Sequence, residues 1–582
     1  MNNATILAAN PYDQPPPAWR RHTPALIALG VFLVTVVPTV LMFPPFDLAP
    51  FAYVFAAPAI LWAYRRPAFK LYAVTVLGAQ MVAWTIILAW LHHVTWAGLL
   101  LLGPFVGLWV GSWFLAVHWL VPRMPGRSAP VRILALLGLA GLWVLIEWSR
   151  TWLLSGFPWL SLAASQWERT SILQIAAYTG ASGVSFVLIA MNLGFAAYGH
   201  RLGFEDAKGL NRRSQEFFAT MFLLLVCLSI HVQETFRRSS FTVPLARVGF
   251  VQPYIPQSVK WDAEQGPAIL TIIDRATMNI ASRRPDFILW PEAVTPLAVK
   301  GDRQVQEWTE ALARRAEAPI VLGSIGLEQA RPGSETIWRN GAFVVDPQSG
   351  LSETSYAKRR LVPFGEFVPF RPVLGWLEKV VPVGGDFTPG ESPSPLLLPT
   401  RTGVFLGGPL ICYEDIFPQL ARDSVAAGAD VLLVLTNNGW FGEGGAAKQH
   451  AAHSVLRAIE TRRPVLRCGN GGWSGWIDEF GVVRSVLQRV TRTDPDGGTR
   501  QVVSSKPEDE GSIYFRGSTV VDVTRDFRWI GRSSFYVQHG DWFVGVSALL
   551  FCLGAWVLTH GRFASPAAPA APEDVPPAAP KA

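Results

Sequence analysis

Long apolar runs separated by short polar links fill the first 232 residues. The first, PALIALGVFLVTVVPTVLMF from Pro24, follows the polar, Pro-rich start PYDQPPPAWRRH. About twenty apolar residues suffice to cross a bilayer as a helix. A signal peptide would show a shorter apolar core and then a cleavage site, so this run reads as an uncleaved first helix. Further runs lie near 51–64, 71–91, 96–121, 131–148, 174–198 and 217–232, and DWFVGVSALLFCLGAWVL begins at Asp541. The pattern predicts about seven spans over 24–232 and one more over 541–560. Between 243 and 535 it changes: short apolar strands (ARVGFVQ, DFILW, PIVLGSI, VFLGGPLIC, VLLVLTN, PVLRC) alternate with helix-like segments, among them 303–316, a helix from Asp415, and 446–461. Such alternation predicts an α/β domain whose sheets are covered by helices. The polar stretch 484–511 reads as a surface loop, and the Pro/Ala-rich tail 561–582 as disordered.

Composition supports a membrane protein. Half of the 582 residues are hydrophobic and only 16% are charged, against about a quarter in soluble proteins. The 24 Trp suit bilayer interfaces. Net charge is +7, but the basic residues form no stripe interleaved with aromatics, which sets nucleic acid aside. Their distribution over the links is informative. Alternate links hold Arg20 and Arg21; Arg65, Arg66 and Lys70; Arg123, Arg127 and Arg132; and Arg201, Lys208, Arg212 and Arg213. The intervening links at 44–50 and 92–95 hold no Lys or Arg, and 149–173 holds only Arg150 and Arg169. The positive-inside rule then makes 1–23 and the tail cytoplasmic and puts the 243–535 domain on the outer side.

Candidate chemistry clusters in three segments of that domain. DFILWPEAVTP sets Glu292 just past a strand; YAKRRLVPFGEFVPF carries Lys358 and Glu366; GGPLICYEDIFP sets Cys412 at a strand-to-helix turn. A thiol there gains from backbone N–H groups and the helix dipole, but with an ordinary pKa of about 8.5 it needs a base or a cation beside it. Cys227 and Cys552 lie in apolar runs, where a thiol behaves as a small hydrophobe. Cys468 reads as structural, as do His450 and His453, which have no evident third metal ligand. Asp415 reads as a first-turn acid complementing a helix dipole. Neither cofactor nor metal is expected.

In this order, with these flanks, the Glu, Lys and Cys segments resemble the carbon–nitrogen hydrolase (nitrilase) superfamily, and within it the membrane-embedded apolipoprotein N-acyltransferase family. The matching segments are VQPYIPQSVKWD, WPEAVTP, KRRLVPFGEFVP, ICYEDIFP, TNNGWFG and QHAAHSVLRAIETRRPVLRCGNGG, with IEWSRTWLLSGFPWLSLAASQ in the membrane half. The resemblance implies an αββα sandwich with a Glu292–Lys358–Cys412 triad beside a bundle of about eight helices. It implies a monomer in the inner membrane with a periplasmic catalytic domain, a phospholipid acyl donor and a diacylglyceryl-modified apolipoprotein acceptor. Cys412 would carry the acyl group as a thioester, Glu292 would be the general base, and Lys358 and the Tyr413 N–H would hold the oxyanion. Glu366 would orient Lys358 or support proton movement, while Trp261, Tyr413, Glu414, Trp440 and Phe441 would line the site or its lid. Three features depart from the family pattern: Asn438-Gly439 stands where Asp-Ala is common, Trp473 where a smaller residue is usual, and 484–511 is an insertion.

Two other functions fit parts of the pattern. A membrane-tethered amidase would use the same triad with water as acceptor, but a soluble amide gives no reason for eight spans. A transporter or scaffold would leave ionisable groups within its spans, whereas 24–43, 71–91, 174–198 and 217–229 contain no Asp, Glu, Lys or Arg.

Overall fold

The computed structural model describes residues 18–204, 213–236, 241–260, 262–329, 336–369, 371–375, 387–494 and 498–560. Its membrane half consists of α1 (Ala18–Leu41), α2 (Ala57–Tyr64), α3 (Phe69–Ile87), α4 (Trp96–Leu120), α5 (Ala129–Ser149), α6 (Ala181–Phe204) and α7 (Gln215–Phe236), joined after the α/β domain by a last helix, Trp542–His560. Among the described residues seven helices are long and apolar enough to cross a membrane, and α2 is not one of them.

The chain through α2 nevertheless runs from one end of the bundle to the other. Pro44 meets the α/β domain, whereas Arg66 bonds Pro122 at the opposite end. A 3₁₀ turn, Ala49–Tyr53, and the eight residues of α2 make this passage together. The break between them leaves backbone groups that Asn192 of α6 satisfies: its Oδ1 accepts from Ala56 N (2.8 Å) and its Nδ2 donates to Ala52 O (2.8 Å). Broken backbone inside a membrane is tolerated only with such partners. The run expected at 174–198 is also shifted. Gly180 adopts φ +68° and separates α6 from a short turn, Ala176–Thr179, while Gln174 leaves the bundle to bond Phe480 O and Arg462 of the domain.

The α/β domain is a four-layer sandwich. Strands β1 (Thr242–Gln252), β2 (Phe287–Leu289), β3 (Ile320–Gln329), β4 (Thr336–Asp346), β5 (Gly350–Leu351) and β6 (Tyr356–Ala357) belong to one sheet. Strands β7 (Leu396–Thr400), β8 (Gly403–Ile411), β9 (Val431–Thr436), β10 (Val465–Gly469), β11 (Gly475–Ile477) and β12 (Val483–Val486) form the second. Strands β13 (Gln488–Thr493) and β14 (Thr499–Ser504) pair as a hairpin, and β15 (Gly517–Asp526) returns beside β1. The sheet orders are β15-β1-β2-β3-β4-β5, with β6 on β4, and β12-β11-β10-β9-β8-β7. Alternate residues of the two sheets (Val248, Phe250 and Leu289 against Leu433, Leu435 and Leu466) fill the space between them, as a period of two requires. Helices α8 (Gly266–Ala281) and α9 (Arg303–Ala316) cover the first sheet. Helices α10 (Pro418–Ala426) and α11 (Ala446–Thr461) cover the second, and their core is continuous with that of the bundle. The hairpin replaces the loop expected at 484–511, because Gln488 and Val490 turn one strand face inward.

Helix α11 fastens the domain to the bundle. Gln449 has every hydrogen-bonding position filled: Oε1 accepts from Trp90 Nε1 (3.1 Å) and Trp159 Nε1 (2.9 Å), and Nε2 donates to Pro44 O and Ile87 O (3.0 Å each). Farther along, His453 Nε2 accepts from Leu160 N and Glu460 Oε1 from Ala181 N. Gln449→Leu strands two indole N–H groups and two carbonyls at once. Each buried polar group left unpaired costs about 1–3 kcal/mol, so this variant is expected to lower the thermal unfolding midpoint in detergent by several degrees.

Candidate active site

Glu292 follows β2 on a turn pressed against β3. Gly323 of β3 is required there, since a Cβ would stand 2.6 Å from Glu292 Cα, and its backbone bonds Pro291 O and Val294 N. Lys358 follows β6 and is tied to β4 by its own N–H, which donates to Asn340 O (2.8 Å). Its Nζ lies 3.2 Å from Glu292 Oε1 and 3.0 Å from Glu366 Oε1. Asn340 Nδ2 bridges the same two oxygens, at 2.9 and 2.8 Å. The remaining Glu366 oxygen accepts from Val362 N. Two carboxylates thus share one ammonium and one amide.

Cys412 ends β8 with φ +50°, in the left-handed region, and Ala293 beside Glu292 has φ +43°. Such backbone costs about 1–3 kcal/mol per residue and persists only where neighbours enforce it. Glu414 is the enforcer at Cys412. Its carboxylate accepts from Ile411 N (2.7 Å), Arg359 N (2.6 Å), Arg360 N (3.1 Å) and the Tyr356 hydroxyl (2.8 Å), locking the cysteine turn to the strand that carries Lys358. His450 Nε2 lies 3.1 Å from Cys412 O. Tyr413 donates its hydroxyl to Gly156 O (2.7 Å), and Arg360 Nη2 donates to Ser155 O (2.8 Å), so the turn is bonded to the bundle loop that follows α5.

Electrostatics define the resting protonation. Burial pushes the Cys412 thiol up to about 12, with Glu292 adding to the rise, while Lys358 and hydrogen bonds from Thr436 and the Asn437 N–H oppose it. Burial also works against the Glu292 charge, but Lys358, the Asn340 bond and Lys260 outweigh it and hold the carboxyl below its ordinary range. Lys358 is likewise opposed by burial, and Glu292 and Glu366 overcome this to keep it well above the ordinary lysine value. The group at neutral pH is therefore a thiol, a carboxylate and an ammonium.

The structure brings Glu292, Lys358, Glu366 and Cys412 together, as expected. Tyr413 and Glu414 flank the thiol, the first facing the bundle and the second serving as a backbone clamp. Phe441 packs against Trp90 (ring centroids 4.4 Å apart) and Trp159 of the bundle, while Trp440 beside it is exposed. Trp261 lies outside the described residues. Trp473 is buried in the core shared with the bundle, and Cys468 is buried with its thiol on Val251 O and Leu289 O. Asp415 stands in the first turn of the 3₁₀ segment Cys412–Ile416, but its charge is taken up by buried partners and not left to complement a helix dipole. It is fully buried, with Oδ1 2.7 Å from His450 Nε2 and Oδ2 2.5 Å from Arg467 Nη1, because the segment Cys412–Ile416 winds as a 3₁₀ turn into the domain. Sequence reasoning missed two residues. Asn340 sits on a strand with no local mark of reactivity. Lys260, inside a quoted motif, is buried, donates to Glu292 O (3.2 Å), and is pushed down to about 8 by burial against the pull of Glu292 and Cys412.

Comparison with known proteins agrees with this architecture. Residues 37–194 match the model of the apolipoprotein N-acyltransferase N-terminal domain, and residues 247–524 that of carbon-nitrogen hydrolases. An apolipoprotein N-acyltransferase from Geobacter metallireducens is 31% identical over 77% of this chain and 84% of its own length. One from Methylococcus capsulatus is 33% identical over 67% and 72%. Among solved structures, an amidase of the nitrilase superfamily from Nesterenkonia AN1 aligns over 52% of this chain and 97% of its own at 17% identity, with a TM-score of 0.35, and adds nothing to the assignment. With both halves matched and relatives covered over most of their length, this chain belongs to the apolipoprotein N-acyltransferase family.

Proposed function

We propose that this enzyme moves an acyl chain from a membrane phospholipid to the α-amino group of a lipidated N-terminal cysteine, through a thioester on Cys412. The observation that carries the reading is the double attachment of the cysteine turn. On one side it joins the segment of Lys358 through Glu414, and on the other it bonds the bundle loop through Tyr413, a loop that Arg360 of the Lys358 segment also reaches. A lipid donor approaching from the bilayer meets that boundary first.

In the first half-reaction Glu292 takes the Cys412 proton as the sulfur attacks the ester carbonyl. The Lys358 ammonium and the Tyr413 N–H stabilise the tetrahedral oxyanion. Collapse breaks the ester C–O bond, Glu292 returns the proton to the departing oxygen, and lysophospholipid leaves. In the second, Glu292 takes a proton from the attacking α-amine. The C–N bond forms, the C–S bond breaks, and Glu292 returns the proton to the departing sulfur, so that Cys412 leaves as the thiol. Glu366 and Asn340 hold Lys358 and Glu292 in register through both steps.

The domain-facing end of the bundle is assigned to the periplasm. Arg66 and Arg127, with Arg132 and Arg201, bond partners at the opposite end, where positive charge marks the cytoplasmic face.

Cys412→Ala is expected to lower acyl transfer from phospholipid to a diacylated lipopeptide by at least about 10³-fold. Free fatty acid in place of N-acylated peptide from the intact enzyme would overturn the transferase reading. Because Glu292 is held below its ordinary value of 4.5, its base form persists to lower pH. Single-turnover thioester formation is accordingly expected to keep its rate down to about that pH and to fall only below it, and Glu292→Gln to abolish it at every pH. In spheroplasts, a membrane-impermeant maleimide is expected to label Glu353→Cys and to spare Arg123→Cys; the reverse pattern would invert the orientation.

A further inference from the structure

Three buried side chains that the mechanism above leaves unused line one cavity between the bundle and the domain. They are Arg150, just after α5, and His453 and Arg457 of α11, exposed by 3%, 2% and 1%. Each is bonded along one edge and has an N–H left over. Arg150 Nη2 donates to Phe157 O (3.2 Å) and Trp159 O (2.5 Å), while its Nη1 has no partner among the described residues. Arg457 Nε donates to Glu460 Oε2 (2.7 Å) and Nη1 to Asp415 O (3.1 Å) and Ile416 O (3.3 Å), which leaves Nη2. His453 Nε2 accepts from Leu160 N (3.1 Å). That nitrogen is therefore bare, and the ring proton sits on Nδ1, again without a partner among the described residues.

The cavity holds about 50 Å³, room for about four oxygen-sized groups at about 10–15 Å³ each. A tetrahedral phosphate has four oxygens and offers an acceptor to each of the three N–H groups, two of them on guanidinium ions. Acids on the other walls suit a donor instead. Glu147 accepts from Leu162 N (2.7 Å), and Asp541 accepts from the Tyr536 hydroxyl and Trp148 Nε1 (3.2 Å each). Asp541 is exposed and immediately precedes the last helix, Trp542–His560, while Trp148 lies in the last turn of α5. The mouth thus opens where two spans end, beside the exposed Trp542, at the depth of lipid headgroups. None of Glu292, Lys358 and Cys412 lines this cavity.

We propose that the cavity binds the phosphate of a phospholipid headgroup from the surrounding bilayer, held by Arg150, Arg457 and His453, at a site separate from that of the acyl donor. The amine or hydroxyl of the headgroup faces Glu147 and Asp541. Pro158 and Ser161 of the cavity wall belong to the loop whose Gly156 O receives Tyr413, so the bound headgroup braces that loop.

The test uses the full-length enzyme, delipidated in detergent, and a diether phospholipid with a phosphoethanolamine headgroup, whose alkyl chains cannot be transferred. Bound lipid is counted by native mass spectrometry as its concentration is raised. The parent is expected to hold one such lipid per chain, and Arg150→Gln to need at least about tenfold more lipid for the same occupancy. Because Arg150 also fixes the loop after α5, Ser182→Leu gives an independent check. Ser182 lines the cavity near the start of α6, and the leucine fills space while keeping every charge, so the same loss is expected. A dialkylglycerol, which lacks the phosphate, is expected not to be held. A parent that holds no lipid, undiminished occupancy in Ser182→Leu, or retention of the dialkylglycerol overturns the site. Displacement of the phospholipid by millimolar inorganic phosphate assigns the cavity to free phosphate and overturns the lipid source.

Discussion

Helix Ala446–Thr461 is buried on both faces, and the rest of the structure is arranged around that constraint. One face covers the second sheet; the other lies against the membrane bundle, in one continuous core. A helix with no face toward water cannot leave a polar side chain unpaired. Gln449, His450, His453, Ser454, Arg457 and Glu460 accordingly all find partners, in the bundle, in the Cys412–Ile416 turn, in the segment after β9 and along the helix itself. The bundle loops, the Cys412 turn and the segment after β9 are thereby referred to a single rigid element.

The site itself is a balance of burial against pairing. Glu292, Lys358 and Cys412 are almost closed to solvent, where any one of them charged alone would be strongly disfavoured. Glu366 and Asn340 make the arrangement tolerable by dividing two negative charges over one ammonium and an amide donor. Burial keeps the thiol protonated at neutral pH. The strained backbone at Cys412 is held by the Glu414 bonds beside it.

Much of this was legible in the chain. Runs of about twenty apolar residues mark spans because the bilayer fixes their length, and helices 303–316 and 446–461 were readable to the residue from their patterns. The motifs around Glu292, Lys358 and Cys412 marked side chains that the structure gathers into one charge group. Less visible was the passage through Ala57–Tyr64, too short by itself to cross and completed by Asn192, a residue 136 positions away from its partner Ala56. Asn340 and Lys260 carry no local signature, since what makes them relevant is the approach of Glu292 from another strand. Asp415 misled for the same reason: an acid at a helix start and an acid inside a buried ion pair look alike in one dimension.

The sequence by itself determined which segments enter the membrane, the alternation that makes two stacked sheets, and the kinds of reactive residue at hand, because hydrophobic period and bilayer thickness act on neighbours along the chain. Only the tertiary structure decided which charges meet. Whether a carboxylate is a base, a clamp or half of a buried pair depends on distances of about 3 Å between residues far apart in sequence, and burial gives those distances their weight.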